Sequence, residues 1–290
     1  MHFAALAAVA ATLVTAVTAD GVETLQAMQV FEVPTLFEIR DILAQFVPAI
    51  VSTVVQRMAL PVEPALYAGG DHSALHTYLA ARERLGLKNH RYDYGTLEYP
   101  FTTNSTIVPD HATTANPYPP GRFHQDTFTP NVNLTAFYTQ EFVPLLNASA
   151  DSYFAHLSNP AQMLFPGRGD TDDTLSLDVA LLQILSNRAC NGKVVAESKF
   201  LGNATVFQAL IKAQDANAIL GLLINRTQES VVLAQADGAA VALTSAWTAS
   251  GGIVPATFEA SIRNTTFKVF RNLIDLTTQT ELEYLLRRLD

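Results

Sequence analysis

Apolar residues recur at steps of three and four along most of this 290-residue chain. In residues 33–58, Leu36, Ile39, Leu43, Phe46, Ile50 and Val54 fall on one stripe, which predicts a long amphipathic helix kinked or broken at Pro48. Residues 59–73 hold prolines and a Gly-Gly pair and read as a loop, and helical period returns over 74–85. From 88 to 130 the chain is rich in Pro, Thr, Asn, His and Tyr with little periodicity; a connector of that length points to a functional role. Helical period resumes over 133–157 and is followed by an acidic loop at 160–173. One long pattern then runs from 176 to 200, broken only softly at Gly192. A short helix is expected over 205–212 and another over 215–238, running on to about 249. Gly251, Gly252 and Pro255 form a turn before a last long helix from 256 to the end. No segment alternates with period two over a useful length, and no internal repeat is visible. The pattern predicts an all-α, single-domain bundle of long helices.

Composition agrees with a packed domain: 49% of residues are apolar and only 16% charged, so a sizeable core is available and global disorder is excluded. The net charge of −9 argues against nucleic acid and against anionic membrane surfaces as partners. Residues 1–19 are apolar and end in Val17-Thr18-Ala19, small residues where signal peptidase cuts. The expectation is a signal peptide cleaved after Ala19, a secreted protein, a mature domain over 20–290, and no membrane contact after cleavage. A membrane anchor fits less well, because the run is short, carries threonines and lacks a basic flank. The weak basic start leaves an intracellular enzyme as an alternative. Asn104, Asn133, Asn147, Asn203, Asn225 and Asn264 each begin an N-x-S/T sequon, which supports passage through a secretory pathway and a glycoprotein product. Cys190 is the only cysteine, so the fold has no intrachain disulfide and must stand on its core; a small buried residue is its plain reading.

The chemistry concentrates near residue 200 and at the C-terminus. Arg188 and Lys199 are eleven residues apart, which at about 100° per residue puts both cations on one face of a helix. Thr277 and Glu281 stand at i and i+4, again on one face. Two inward cations with a carboxylic acid suggest a buried site for a small anion. Each residue alone would read as a solvated face or a surface ion pair. Asp71, His72 and His76 have a spacing that can bind metal, but no further ligand stands out, and Asp170, Asp172 and Asp173 lack the Gly and closing Glu of a calcium loop. Neither a metal nor a cofactor is expected.

The string Gly-Lys-Val-Val-Ala-Glu-Ser-Lys-Phe from Gly192 to Phe200, and Glu-Leu-Glu-Tyr-Leu-Leu-Arg-Arg-Leu from Glu281 to Leu289, resemble the eukaryotic, all-helical AroQ-type chorismate mutases of yeasts and plants. The likeness covers roughly residues 36–58 and 136–290 and is poor over 60–130. It implies an isomerase that rearranges chorismate to prephenate, no cofactor, and a homodimer. It also implies seven site residues: Arg40 and Arg188 on the substrate's carboxylates, Lys199 and Glu281 on the ether oxygen, Thr277 as a hydroxyl donor, and Asn225 with Glu229 on the ring hydroxyl. The chain departs from the family's regulated members, where a Gly-Ser pair and an Arg-Arg pair hold an aromatic amino acid. Asp172-Asp173 and His90-Arg91 stand there instead, and Asn187 replaces the first Arg of another pair. Two carboxylates would repel an amino acid's carboxylate, so feedback control is not expected. Asn225 is both a proposed substrate ligand and a sequon acceptor. The competing reading is a secreted, non-catalytic effector that keeps the fold and uses residues 88–130 against a host protein partner.

Overall fold

The computed structural model describes residues 33–92, 96–102, 123, 126–146, 171–249, 254 and 256–288. The leader, the sequons at Asn104 and Asn147, and the Gly251-Gly252 turn lie outside the described residues. Helix α1 spans Leu36–Met58 and opens on a capping box: Thr35 Oγ1 accepts from Glu38 N, and Glu38 Oε2 accepts from Thr35 N at 2.8 Å. Pro48 lies inside α1 and does not end it. Its ring is on the exposed face, while Val47, Ile50, Val51 and Val54 are buried. A proline costs an interior helix about 3 kcal/mol, whereas each buried side chain of that stripe returns about 1.5–3 kcal/mol. Packing therefore wins, and of the kink or break expected there, the break does not occur.

Two short 3₁₀ turns, Pro64–Leu66 and Gly70–His72, occupy the expected loop before α2, Ala74–Lys88. Helix α3, Asn131–Phe137, runs directly into a π turn at Tyr138–Phe142. The long pattern at 176–200 proves to be two helices, α4 at Thr171–Cys190 and α5 at Gly192–Gly202. The break is one residue, Asn191, whose Nδ2 donates to Asn187 O at 2.8 Å and so competes for a carbonyl of the last turn of α4. After α6, Ala204–Lys212, the pattern at 215–249 also divides, into α7 at Ala216–Leu223 and α8 at Arg226–Ala249. Ile224 between them is extended (φ −69°, ψ 123°), and Asn225 Oδ1 caps α8 by accepting from Gln228 N at 3.0 Å. Helix α9, Ala256–Leu286, closes the bundle. The described residues contain no strand, and no described helix is long and apolar enough to cross a membrane.

Helix α9 packs along α4, α5, α7 and α8, and α1 packs against α4 and α8. These contacts make two apolar clusters. The larger joins α1, α2, α3, α4, α8 and α9 around Ile50, Leu182, Phe258 and Ile262. The smaller joins the start of α1 to α5, α6, α7 and the end of α9 around Ile39, Phe200, Ile219 and Leu285. Gly192 fixes the approach of α5 to α9: a Cβ there would stand 2.8 Å from the carbonyl oxygen of Thr277. Cys190 is buried and free, with its thiol pushed up to about 11 by burial.

Buried polar groups brace the same frame. Asp178 on α4 takes an ion pair from Arg57 and hydrogen bonds from Tyr138 (2.6 Å) and Tyr67 (2.7 Å). Lys193, fully buried at the start of α5, donates to Tyr99 Oη (2.7 Å) and Phe128 O (2.6 Å) and pairs with Asp126. It thereby ties the described ends of the 88–130 connector to the helix that carries Lys199.

Candidate active site

A cavity of about 530 Å³ takes its apolar lining mainly from the smaller cluster, including Ile39, Leu43, Phe207 and Leu223, with Val47 and Val232 from the larger. Its wall includes Arg40 from α1, Arg188 from α4, Lys199 from α5, Asn225 and Glu229 at the start of α8, and Thr277 and Glu281 from α9. The seven residues expected from the sequence thus share one cavity. The route differs from the expectation in one respect: Arg188 and Lys199 lie on two consecutive helices, not one, and both still face inward across the Asn191 break.

Arg188, Thr277 and Glu281 are buried. Arg188 Nη1 donates to Thr277 Oγ1 at 3.4 Å, and Thr277 Oγ1 donates onward to Leu273 O at 2.7 Å. Among the described residues no carboxylate forms an ion pair with Arg188. Burial pulls its guanidinium down to about 10, against a smaller opposing effect of Glu281. It remains charged at neutral pH, as a desolvated cation facing a cavity. Lys199 Nζ is 2.6 Å from Glu281 Oε2 and donates to Leu223 O at 2.9 Å, the carbonyl end of α7. Burial pushes the Glu281 carboxyl above its ordinary value, although Lys199 and Arg188 both pull the other way. Desolvation wins because the carboxyl has almost no contact with water.

Arg40 is exposed at the edge of the cavity. Asn225 is exposed and already committed through Oδ1 to the α8 cap, which leaves its Nδ2 as the donor toward the cavity. Glu229 accepts from Arg226 Nη1 and Arg271 Nη1, both at 3.0 Å on Oε2. The Arg226–Glu229 pair is an i,i+3 signal visible in the sequence. The Arg271–Glu229 pair crosses from α9 to α8, so no local spacing could have revealed it. Sequence reasoning also missed Glu197, buried on α5, which accepts from Tyr284 Oη (2.6 Å) and from Arg288 Nε (2.6 Å) and Nη2 (3.0 Å). The pairing of Arg288 with this buried carboxylate fastens α5 to the end of α9. His76 faces Asp71 at 3.9 Å, and no group of three metal-ligating side chains occurs among the described residues.

The cavity joins cations, a buried carboxyl and polar donors within a helical bundle. The bundle is an all-α fold of the AroQ chorismate mutase type. The structure covers 90% of this chain and 97% of the maize chloroplast chorismate mutase (TM-score 0.64, 22% identity). It covers 90% of this chain and 98% of AtCM1 solved with tyrosine in its allosteric site (TM-score 0.62, 23% identity). Candida albicans Aro7p chorismate mutase in complex with L-Trp superposes with a TM-score of 0.60 at 20% identity over 89% of this chain and 92% of that one. By sequence, the chain is 27% identical to cytosolic chorismate mutase 2 of Zea mays over 265 residues, 88% of this chain and 96% of the relative. It is 27% identical to the chorismate mutase of Pichia angusta over 275 residues, 88% of each chain. No family model matches the chain. The chain is therefore a relative of the plant and yeast chorismate mutases along most of its length.

Proposed function

We propose that the protein is a chorismate mutase, an isomerase that rearranges chorismate to prephenate in this cavity. The observation that carries the reading is the meeting of buried Arg188 with a Lys199–Glu281 pair whose carboxyl is pushed toward its neutral form. Chorismate is a dianion, and its rearrangement is unimolecular: the ether C–O bond breaks while a C–C bond forms. Catalysis needs the compact conformer held and the negative charge on the ether oxygen stabilised. Arg188 and Arg40 take the carboxylates through charge-assisted bonds. Thr277 adds a hydroxyl. Lys199 donates to the ether oxygen, and Glu281 beside it donates as well in its protonated form, because a carboxylate would repel the developing charge. The substrate's own two charges favour that protonated form further. Asn225 Nδ2 and Glu229 take the ring hydroxyl.

Loss of chorismate absorbance on adding purified protein tests the reaction. Turnover that survives Arg188→Ala undiminished would count against the assignment of the cavity.

The apolar, small-residue end of residues 1–19 supports a secreted enzyme cleaved after Ala19. Localising a fusion with and without those residues tests it. We also propose that aromatic amino acids do not control the activity. The first turn of α4 presents Asp172 and Asp173, and Arg91 is engaged by Glu98. Several-fold activation by tryptophan, or inhibition by tyrosine, in a dose-response would overturn this. A homodimer follows from the resemblance and is read by light scattering.

A further inference from the structure

We infer that Asn203 and Asn225 are N-glycan acceptors and that a glycan on either closes the cavity, so that the glycoform sets whether the site is open. The inference rests on the proposed secretion and deepens the proposed function. Four sequons fall among the described residues. Asn133 sits within α3 with its Nδ2 donating to Gln279 Oε1 at 2.9 Å. Asn264 sits within α9, and the Thr266 of its sequon is fully buried. Asn203 and Asn225 differ from both. All four asparagines are exposed, but these two lie in links, Asn203 between α5 and α6 and Asn225 between α7 and α8, and their sequon threonines, Thr205 and Thr227, are exposed too. These best-presented acceptors are also the two that line the catalytic cavity, beside Lys199 and Glu229.

The fold tolerates the modification. Asn225 caps α8 through Oδ1, and an N-linked asparagine keeps its carbonyl oxygen. In the transfer, Nδ2 forms a bond to C1 of the first sugar of a lipid-diphosphate-linked oligosaccharide. The C1–O bond to the diphosphate breaks, the lipid diphosphate leaves, and the amide loses one proton. The product is a bulky, hydrophilic chain rooted in the wall of a cavity of about 530 Å³. Rooted in that wall, the glycan stands between solvent and the cavity and obstructs substrate entry by its bulk. Asn225 modified in this way also loses one of the two Nδ2 protons it would offer the ring hydroxyl.

The test compares the full chain, secreted from a eukaryotic host on its own leader, with the 20–290 chain made unglycosylated in a bacterial cytoplasm. Each is prepared as wild type, Thr205→Ala, Thr227→Ala and the double variant, and these substitutions remove the sequons while leaving both asparagines. Peptide mapping is expected to find glycan on Asn203 and Asn225. Chorismate turnover of the secreted wild type is expected to be at least about tenfold below that of the secreted double variant. The bacterial wild type and bacterial double variant should be equally active, which shows that the variant folds. Secreted wild type with both asparagines bare, or glycosylated yet as active as the double variant, overturns the inference. Bacterial protein without turnover overturns the proposed reaction instead, and the acceptor claim then stands or falls on the mapping.

Discussion

Glu281 is the residue whose environment is most at odds with its chemistry. A carboxyl 2.6 Å from an ammonium would ordinarily be ionised, yet burial pushes it the other way. The sign of the consequence is fixed. A carboxyl raised in the folded state holds its proton to higher pH, so a donor role is full below that value and lost above it. The value of kcat/KM should fall as pH rises through the Glu281 value, by about tenfold per pH unit once past it. Glu281→Gln donates an N–H at every pH, so its profile should be flat. A wild-type profile that is flat to pH 9 would remove Glu281 from the donor role. The same shift makes the folded protein bind more protons than the unfolded chain, so this group's contribution to stability declines as pH rises from the ordinary carboxyl value through the raised folded one. Arg271 makes a smaller claim. It shares Glu229 with Arg226 and is partly exposed, so Arg271→Ala should cost about 0.5–1 kcal/mol, read as a KM raised about two- to fivefold with kcat nearly unchanged. Arg188 with Lys199 and Thr277 with Glu281 were legible from helical spacing, whereas Arg40, Asn225 and Glu229 were named only through the resemblance to chorismate mutases. Arg271, Glu197 and the bracing of Lys193 by Asp126 were not legible, since each pairs with a group far away in the chain.

At the level of elements, boundaries were read less well than identities. The helical stripes of α1, α2, α6 and α9 were visible as period 3.6, because each buries one face. The breaks were not. Pro48 does not end α1, since the stripe around it is packed. Ile224-Asn225 does end α7, since Asn225 offers a cap that apolar periodicity does not register. That missed break matters, because it sets Asn225 on the cavity wall and lets the Leu223 carbonyl receive Lys199. Gly192 is an element-level constraint read only in three dimensions. Gly192→Ala would press a methyl against the Thr277 carbonyl and force α5 and α9 apart. It should cost about 1–3 kcal/mol of stability, seen as a lower Tm by calorimetry. It should also lower kcat at temperatures where the variant is still folded, because Lys199 and Glu281 ride on the two displaced helices. A variant with native Tm and native kcat would show that the contact relaxes freely.

For the whole molecule, the central claim is that individually ordinary polar residues become a site for a dianion because separate helices bring them onto the wall of the same cavity of about 530 Å³. Arg188 carries most of that claim. It is desolvated, it has no ion-pair partner among the described residues, and it faces the space the substrate would fill. The most direct measurement follows chorismate by its absorbance with purified, unglycosylated wild-type and Arg188→Ala proteins at neutral pH. The account predicts rapid loss of chorismate with appearance of prephenate for the wild type, and a fall of about 10²–10³ in kcat/KM for the variant, the scale of one preorganised charge-stabilising donor. Folded wild-type protein that leaves chorismate untouched, or a variant as active as wild type, would contradict it.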